Sequence, residues 1–582
     1  MIEQLNQWLE RDPDPGTKEE LNQLISENQQ EELADRFKSR LEFGTAGLRG
    51  KVGCGPNRMN RLVIQETATG LGHYLIANVE RAKERGVVIG YDGRLDSKTF
   101  ACDTASVLTA LGMKVYLTDK VTPTPVVAFG IHQFNAAAGI VVTASHNPPE
   151  YNGFKVYWEN GAQIIPPHDQ GIAAAIERAA VEPLSVLPLA QAEAQQLLVW
   201  LSDDYYRDYQ NAIAQQPLLQ ADVAAENLVM TYTAMHGVGA PFAEAMLQSA
   251  GFTQVYSVAE QREPDGHFPT VNFPNPEEPG AMDLVVKLAL DKQADLACAN
   301  DPDADRFAVA ARTKPGEYQM LSGDQVGVLL ADYVLQKHQA QPGASRDALI
   351  GNTIVSSGLL EKIAGQAGVT YFKTLTGFKW LTNVAMEKES EQKPFLFAYE
   401  EALGYTIGNQ VRDKDGLSAL VVFAQMAAAL KQSGQTVWDR LEQIYRQHGL
   451  YVTAQKSLAL SPDMPPVGDV LRTNPPAMIA GRKVLMTEDY KTAVRRFADG
   501  RTEAIDLPVS DVLVYHLEGG HLEGGHLEDQ GRVIVRPSGT EPKLKCYYEL
   551  ATTMHDDESF GDAQRRADEQ MTMLISEHQH CL

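Results

Sequence analysis

The sequence predicts an α/β protein: three similar α/β domains with mixed, largely parallel sheets, then a C-terminal α+β domain. Short apolar runs alternate with helical patterns, as buried parallel strands and their covering helices do. Three of these runs end in polar loops, and open α/β sheets bind ligands at the C-terminal ends of their strands. At 582 residues the chain exceeds one hydrophobic core, and about 150 residues per domain gives about four domains.

The opening segment reads as a helical preface. Asp12-Pro-Asp-Pro-Gly16 separates a short first helix from a second, for which Thr17 and Glu20 form a capping box ahead of Leu21, Leu24 and Ile25. Strands are then expected at Val87–Tyr91, Lys114–Leu117 and Gly139–Thr143, with a helix over Thr99–Leu111. The pattern recurs at Leu228–Thr233, Gln254–Val258 and Ala294–Ala299, and again at Leu349–Val355, Thr370–Thr374 and Pro394–Tyr399. Past about residue 450, proline-rich stretches lead to scattered strands and a closing helix over Phe560–Glu577. The predicted domains are 1–200 (preface and first unit), 201–318, 319–445 and 446–582. His516-Leu-Glu-Gly-Gly, repeated almost three times, reads as a tandem expansion in an exposed hairpin loop, because Gly-Gly pairs oppose a helix.

With 44% hydrophobic and 22% charged residues and a mean hydropathy of −0.26, disorder and a fibrous chain are excluded as overall descriptions. A formal charge of −25 argues against nucleic acid or an anionic membrane as partner, while leaving room for a local basic pocket. Cys54, Cys102, Cys298, Cys546 and Cys581 are scattered, with no CxxC, so a reducing cytoplasm is expected. The start of the chain lacks the basic and apolar regions of a secretory signal. The longest apolar stretch, near Leu417–Leu430, is interrupted by Ser418 and Gln425 and reads as a buried helix. A soluble cytoplasmic protein is the expectation.

Chemistry concentrates in a few segments. Thr143-Ala-Ser145-His146-Asn-Pro148, followed by Asn152-Gly-Phe-Lys155, places a serine on a turn at a strand end with His and Lys nearby. It reads equally as a nucleophile or as a polar turn; there is no Gly-x-Ser-x-Gly elbow. In Asp301-Pro-Asp303-Ala-Asp305-Arg306 the alternate carboxylates converge if the segment curls, and all-oxygen ligation favours Mg²⁺. A solvated acidic turn is the alternative. Arg536-Pro-Ser538-Gly539-Thr540-Glu-Pro-Lys543 reads as a phosphate cradle: a glycine for close approach, two hydroxyls and two cations. Phe43–Gly50 is a second Gly-rich loop, carrying Arg49. Thr376-Gly377-Phe-Lys379 and Tyr399-Glu400-Glu401 are weaker signals, and Asp92-Gly-Arg94 serves either a phosphate or a helix cap. A serine, a three-Asp metal site and a phosphate cradle together imply phosphoryl transfer on a phosphorylated substrate.

By these motifs, in this order, the chain resembles the α-D-phosphohexomutase superfamily, most closely its phosphoglucomutase/phosphomannomutase group with an N-terminal helical extension. Phe268-Pro-Thr, Pro274-Asn-Pro-Glu-Glu278 and Met235–Gly239 add to the likeness. The resemblance implies four domains around one central cleft, with Ser145 as the phosphoserine and Asp301, Asp303 and Asp305 holding Mg²⁺ together with it. Glu400 or Glu401 would contact the sugar. Arg536, Ser538, Gly539, Thr540 and Lys543 would bind the phosphate that is not transferred. Arg49, His146, Lys155, Arg306, Thr376, Gly377 and Lys379 would line the cleft, with Lys155 and His146 as acid–base candidates, Lys155 through a lowered pKa. The sequence departs from the family pattern at Ala402, where Glu-x-Ser is usual, and at Pro302, where Gly is more usual. The expected activity interconverts hexose 1-phosphates and 6-phosphates, glucose preferred and mannose second, with glucose 1,6-bisphosphate as intermediate and activator. A phosphopentomutase, a glucose-1,6-bisphosphate synthase, a serine phosphatase and a non-catalytic sugar-phosphate-binding regulator are the rivals. The expected partner is the phosphosugar alone, the protein being a monomer or weak dimer.

Overall fold

Strands buried on both faces lie inside the first two sheets of the computed structural model, which describes residues 2–44, 47–220, 223–460, 466–520, 529–537, 543–555 and 557–580. The chain divides into two compact units: residues 1–323 with 395–433, and residues 324–394 with 434–582.

In the first unit, β1 (Leu48–Lys51), β2 (Val87–Tyr91), β3 (Val115–Thr118), β4 (Ala138–Val142), β5 (Tyr151–Trp158) and β6 (Leu198–Leu201) form one sheet in the order β1-β5-β4-β2-β3-β6. β2 pairs in parallel with β3 and β4, and β5 runs antiparallel to β4 and β1. Every residue of β2 and β4 is buried, which accounts for their unbroken apolar sequences. The helix Arg61–Asn78 begins at Asn60, whose side chain accepts the Val63 N–H. Gly70 lets it close on the helix His168–Ala179: a Cβ there would lie 2.5 Å from the Ile176 backbone.

A second sheet holds β7 (Val229–Thr233), β8 (Gln254–Ser257), β9 (Leu296–Asn300), β10 (Phe307–Lys314) and β11 (Glu317–Met320), ordered β11-β10-β9-β7-β8. β7 is parallel to β8 and β9, and β10 turns back antiparallel to β9.

The third α/β domain contributes to both units. The parallel pair β12 (Leu349–Thr353) and β13 (Thr370–Thr374) belongs to the second unit, the antiparallel pair β14 (Phe395–Glu400) and β15 (Gly404–Ile407) to the first. The helix Gly416–Gln432 is buried throughout Gly416–Ala428, as its apolar sequence requires. Asp415 caps it by accepting the Leu417 and Ser418 N–H groups, and Tyr209 donates to the same carboxylate.

The C-terminal sheet of the second unit comprises β16 (Leu450–Ala459), β17 (Met478–Ile479), β18 (Arg482–Asp489), β19 (Val494–Phe497), β20 (Thr502–Ala504), β21 (Leu513–Gly520), β22 (Asp529–Pro537) and β23 (Lys543–Thr552). Its order is β16-β23-β22-β21-β18-β19-β20, every pairing antiparallel, with β17 against β18. The closing helix, Phe560–His580, seats Met571 and Leu574 in that core. No helix among the described residues is long and apolar enough to cross a membrane.

Three local expectations are corrected. The second helix begins at Pro15, with Asp14 as its cap accepting the Gly16 N–H. The proline pre-sets helical φ and starts the helix ahead of Thr17. The Thr17 hydroxyl therefore donates to Asp12, and Glu20 accepts from Arg36 and the Cys54 N–H. Phe43–Gly50 is not wholly a loop, since Leu48–Lys51 is β1. The first HLEGG copy lies in β21, where His516 pairs with Arg532 in register and contacts Glu488; residues 521–528, carrying the later copies, lie outside the described residues.

One consequence is measurable. His578 is buried against the Tyr548 hydroxyl (2.9 Å), and burial lowers its pKa from 6.5 to about 4. The unfolded chain then binds a proton that the folded one refuses. The stability from the neutral imidazole is complete above pH 6.5, falls as pH drops towards 4, and amounts to about 3 kcal/mol at ~1.4 kcal/mol per unit. Urea titrations of wild type and His578→Gln over that range should show a shallower acid loss in the variant.

Candidate active site

Ser145 sits just past the C-terminal end of β4, in the left-handed region at φ 51°. A non-glycine residue holds that conformation only when its surroundings over-determine it. Here the Ser145 N–H donates to the Thr143 hydroxyl (2.8 Å), which donates to Asp92 (2.6 Å). The Ser145 hydroxyl donates to Asp301 Oδ2 at 2.8 Å and lies 3.2 Å from His146 Nδ1.

The acidic loop leaves β9 and curls as its alternate carboxylates predict. Asp301 Oδ1 accepts the Arg306 N–H, and Ala304 takes φ 55° to close the turn. Gly237 lies against it, since a Cβ there would meet Pro302 Cα at 2.3 Å, and the Val238 N–H donates to the Pro302 carbonyl. Asp301, Asp303 and Asp305 are buried, with ligand oxygens within 4.8 Å of one another. Three carboxylates out of water need nearby cations. Lys155, midway along β5, donates to Asp303 (2.7 Å) and Asp305 (2.9 Å); Lys414 lies 3.3 Å from Asp305 and 3.2 Å from Asp413. Thr124, opening the helix Thr124–Gln133, donates its hydroxyl to Asp303 Oδ2 and its N–H to the Asp303 carbonyl.

Electrostatics follow from this packing. Burial and the neighbouring Asp303 and Asp305 push the Asp301 carboxyl well up. Burial opposes ionisation of Asp303 too, but Lys155 and Thr124 outweigh it and hold its pKa down. Desolvation would lower Lys155, yet Asp303 and Asp305 raise it, so Lys155 stays charged; the expected lowering by cations is reversed because its contacts are carboxylates. Burial, with Arg306 and Arg49, lowers His146 well below the usual imidazole range and keeps it neutral near pH 7. Glu400, ending β14, stabilises the charges of Arg306 and Lys414.

Two oxygens of the triad, Asp303 Oδ1 and Asp305 Oδ1, are buried without a hydrogen bond, as is the Arg306 Nε. Unsatisfied carboxylate oxygens in an all-oxygen cluster suit a hard divalent cation, and an unsatisfied guanidinium nitrogen suits an anion. The donor set fits a metal.

The first unit thus brings together Ser145, His146, Lys155, Asp301, Asp303, Asp305 and Arg306 with Glu400. Arg49 is exposed and donates to the Asn147 side chain at 3.1 Å. Glu401 is half-buried, its carbonyl against Gly323. In the second unit, Gly377 (φ 113°) and Lys379 start the helix Phe378–Lys388, and the Thr376 hydroxyl is buried without a hydrogen bond. Arg536 pairs with Lys545 across β22 and β23, and Lys543 begins β23; Ser538, Gly539 and Thr540 lie outside the described residues. Sequence reasoning missed Thr124 and Lys414. The signal for Lys414 is Arg412-Asp413-Lys414-Asp415, four alternating charges before an apolar helix, all buried. Thr124 carries no signal distinguishing it from an ordinary helix start.

Four family models match the chain. They are phosphoglucomutase/phosphomannomutase alpha/beta/alpha domain I over residues 40–182, domain II over 207–316, domain III over 322–448 and the C-terminal domain over 525–558. The chain is 41% identical to a probable phosphomannomutase of Haemophilus influenzae, covering 84% of this chain and 92% of the relative. It is 37% identical to a probable phosphoribomutase of Schizosaccharomyces pombe (94% and 93% covered) and 35% identical to a phosphoglucomutase of Staphylococcus aureus (94% and 96%). A crystal structure of a putative phosphomannomutase from Thermus thermophilus shares the fold, with TM-score 0.66 at 21% identity over 93% of this chain and 99% of that one.

If the triad holds a cation, Mg²⁺ at about 100 times its Kd should stabilise the folded protein by ~2.7 kcal/mol. Thermal denaturation with and without Mg²⁺ should show this rise in wild type, and Asp303→Asn and Asp305→Asn should each lose most of it.

Proposed function

The chain belongs to the phosphoglucomutase/phosphomannomutase family of phosphotransferase mutases, and we propose that it interconverts glucose 1-phosphate and glucose 6-phosphate, with mannose phosphates as second substrates. The reading is carried by the Ser145 hydroxyl, held 2.8 Å from Asp301 beside a buried triad that keeps two oxygens unsatisfied.

Ser145 carries the phosphoryl group. Asp301, Asp303 and Asp305 would hold Mg²⁺, which would supply charge neutralisation at the phosphoryl oxygens. Transfer breaks the bond from phosphorus to Ser145 Oγ and forms one to the free sugar hydroxyl, whose proton must leave. The product is a bisphosphate, glucose 1,6-bisphosphate for the preferred substrate, which also serves as activator. After it reorients, its other phosphate returns to Ser145. Positioning and charge do most of this work, because phosphoryl transfer asks little covalent chemistry of the protein. His146, neutral and 3.2 Å from Oγ, is equipped to take a proton, and Lys155, held charged, to give one. Arg306 and Arg49 receive phosphate charge, and Glu400 contacts sugar hydroxyls, with Glu401, Thr376, Gly377 and Lys379 as further substrate-binding residues. Arg536, Ser538, Gly539, Thr540 and Lys543 bind the phosphate not transferred.

A second reading, mutase action on pentose phosphates, is favoured by one observation: the S. pombe relative named a phosphoribomutase matches almost from end to end. Ala402, in the place of the usual serine after Glu400, removes a hydroxyl from the sugar loop and is consistent with that reading.

A coupled assay with Mg²⁺ and catalytic glucose 1,6-bisphosphate should give rapid glucose 6-phosphate from glucose 1-phosphate, abolished by EDTA. Faster turnover of ribose 1-phosphate in parallel would establish the pentose reading instead. Ser145→Ala should fold as wild type and lose at least about 10⁴-fold in kcat, as removal of covalent nucleophiles does; an active Ser145→Ala protein would end the nucleophile assignment.

A further inference from the structure

Arg94 is 4% exposed, and its terminal nitrogens are directed at the backbone of the Ser145 loop. Nη2 donates to the carbonyls of Ser145 (2.8 Å) and Asn147 (2.6 Å), and Nη1 to those of Pro148 and Tyr151 (2.9 Å each). Nε lies 3.2 Å from Asp92 Oδ2, and the Phe268 ring covers the guanidinium at 5.1 Å. A guanidinium has five N–H groups; the four on Nη1 and Nη2 go to the four carbonyls, and Nε faces the Asp92 carboxylate as an ion pair without a hydrogen bond. The Nη groups of Arg94 are thus committed to backbone carbonyls, and Asp96 stands at the cap of the helix Ser97–Ala110.

Asp92 completes the arrangement from the other side. It accepts the Arg94 N–H and the Ser97 hydroxyl on Oδ1, and the Thr143 hydroxyl on Oδ2. Thr143 in turn accepts the Ser145 N–H. The backbone before Ser145 is therefore tied to Asp92 through Thr143, and the backbone after it to Arg94. Between the two ties stands a left-handed serine. Neither Asp92 nor Arg94 donates a hydrogen bond to the triad.

We propose that the Asp92–Arg94 pair is a positioning clasp, holding Ser145 in its strained conformation so that the phosphoryl group on Oγ lies in line with the acceptor hydroxyl. This rests on the reading that Ser145 carries the phosphoryl group, and it assigns residues that act through Ser145 without touching substrate. Such a clasp affects the chemical step and leaves substrate and metal binding nearly unchanged. Lysine cannot replace the arginine, because a single ammonium offers three donors without the planar fork.

The test uses the full chain as wild type, Arg94→Lys and Thr143→Val, the last being close in shape and cutting only the Asp92 arm. Three quantities are measured: kcat per mole of phosphoserine, KM for glucose 1-phosphate, and Kd for Mn²⁺. Arg94→Lys should lose 100-fold or more in kcat per phosphoserine and Thr143→Val about tenfold, with KM and the Mn²⁺ Kd within threefold of wild type. A purely structural role would lower the yield of folded protein and leave kcat per phosphoserine intact. Variants that keep kcat within threefold, or lose activity only through KM, would overturn the clasp. If Arg94→Lys does not fold, Thr143→Val decides by the same criteria. Wild type that turns over without phosphoserine would instead overturn the phosphoserine reading, so the two failures are told apart.

Discussion

Three carboxylates taken out of water within 4.8 Å of one another are the constraint around which the first unit is built. Each would resist ionisation alone, and together they repel. The chain answers with a charged lysine from β5, a second from the segment after β15, an arginine from the same loop and a threonine from a helix start. These groups come from all three α/β domains. The triad is thus as much a junction between domains as a cluster able to hold a metal, and two of its oxygens are left without a hydrogen bond.

A second constraint acts on Ser145. Ser145 is held in a backbone conformation that a free chain would leave, and the restraint comes from buried polar groups. Buried polar networks of this kind serve geometry better than net stability, since each bond largely replaces one to water. Arg94 and Asp92 exchange solvent for five backbone groups and two hydroxyls, and gain a fixed serine.

The parallel strands were legible because interior strands bury both faces and so read as unbroken apolar runs, as at Val87–Tyr91 and Leu296–Asn300. β5 was not, because Asn152, Gly153 and Lys155 interrupt a strand that is nonetheless buried there. Those residues look wrong for a strand in isolation, and one of them, Lys155, is the partner of Asp303 and Asp305. The convergence of the Asp triad was legible because carboxylates at alternate positions come together when the loop curls at a strand end. Thr124 was invisible, since its partner Asp303 lies 179 residues away. Lys414 was overlooked because alternating charges usually mark a solvated turn, whereas here all four are buried, with Lys414 paired to Asp305 and Asp413 and Asp415 capping the next helix. Glu20 shows the converse, a local capping pattern overridden by the tertiary partner Arg36.

Thr124 binds Asp303 through both its side chain and its backbone, and Lys155 binds it from a different element of the same domain. The acidic loop therefore borrows its shape from the domain before it. Recombination between family members at the junction near residue 200 would transplant a loop without its supports unless the donor of the first domain carried the same threonine and lysine. The two domains form one hereditary unit, and sequence drift in either is confined by the other.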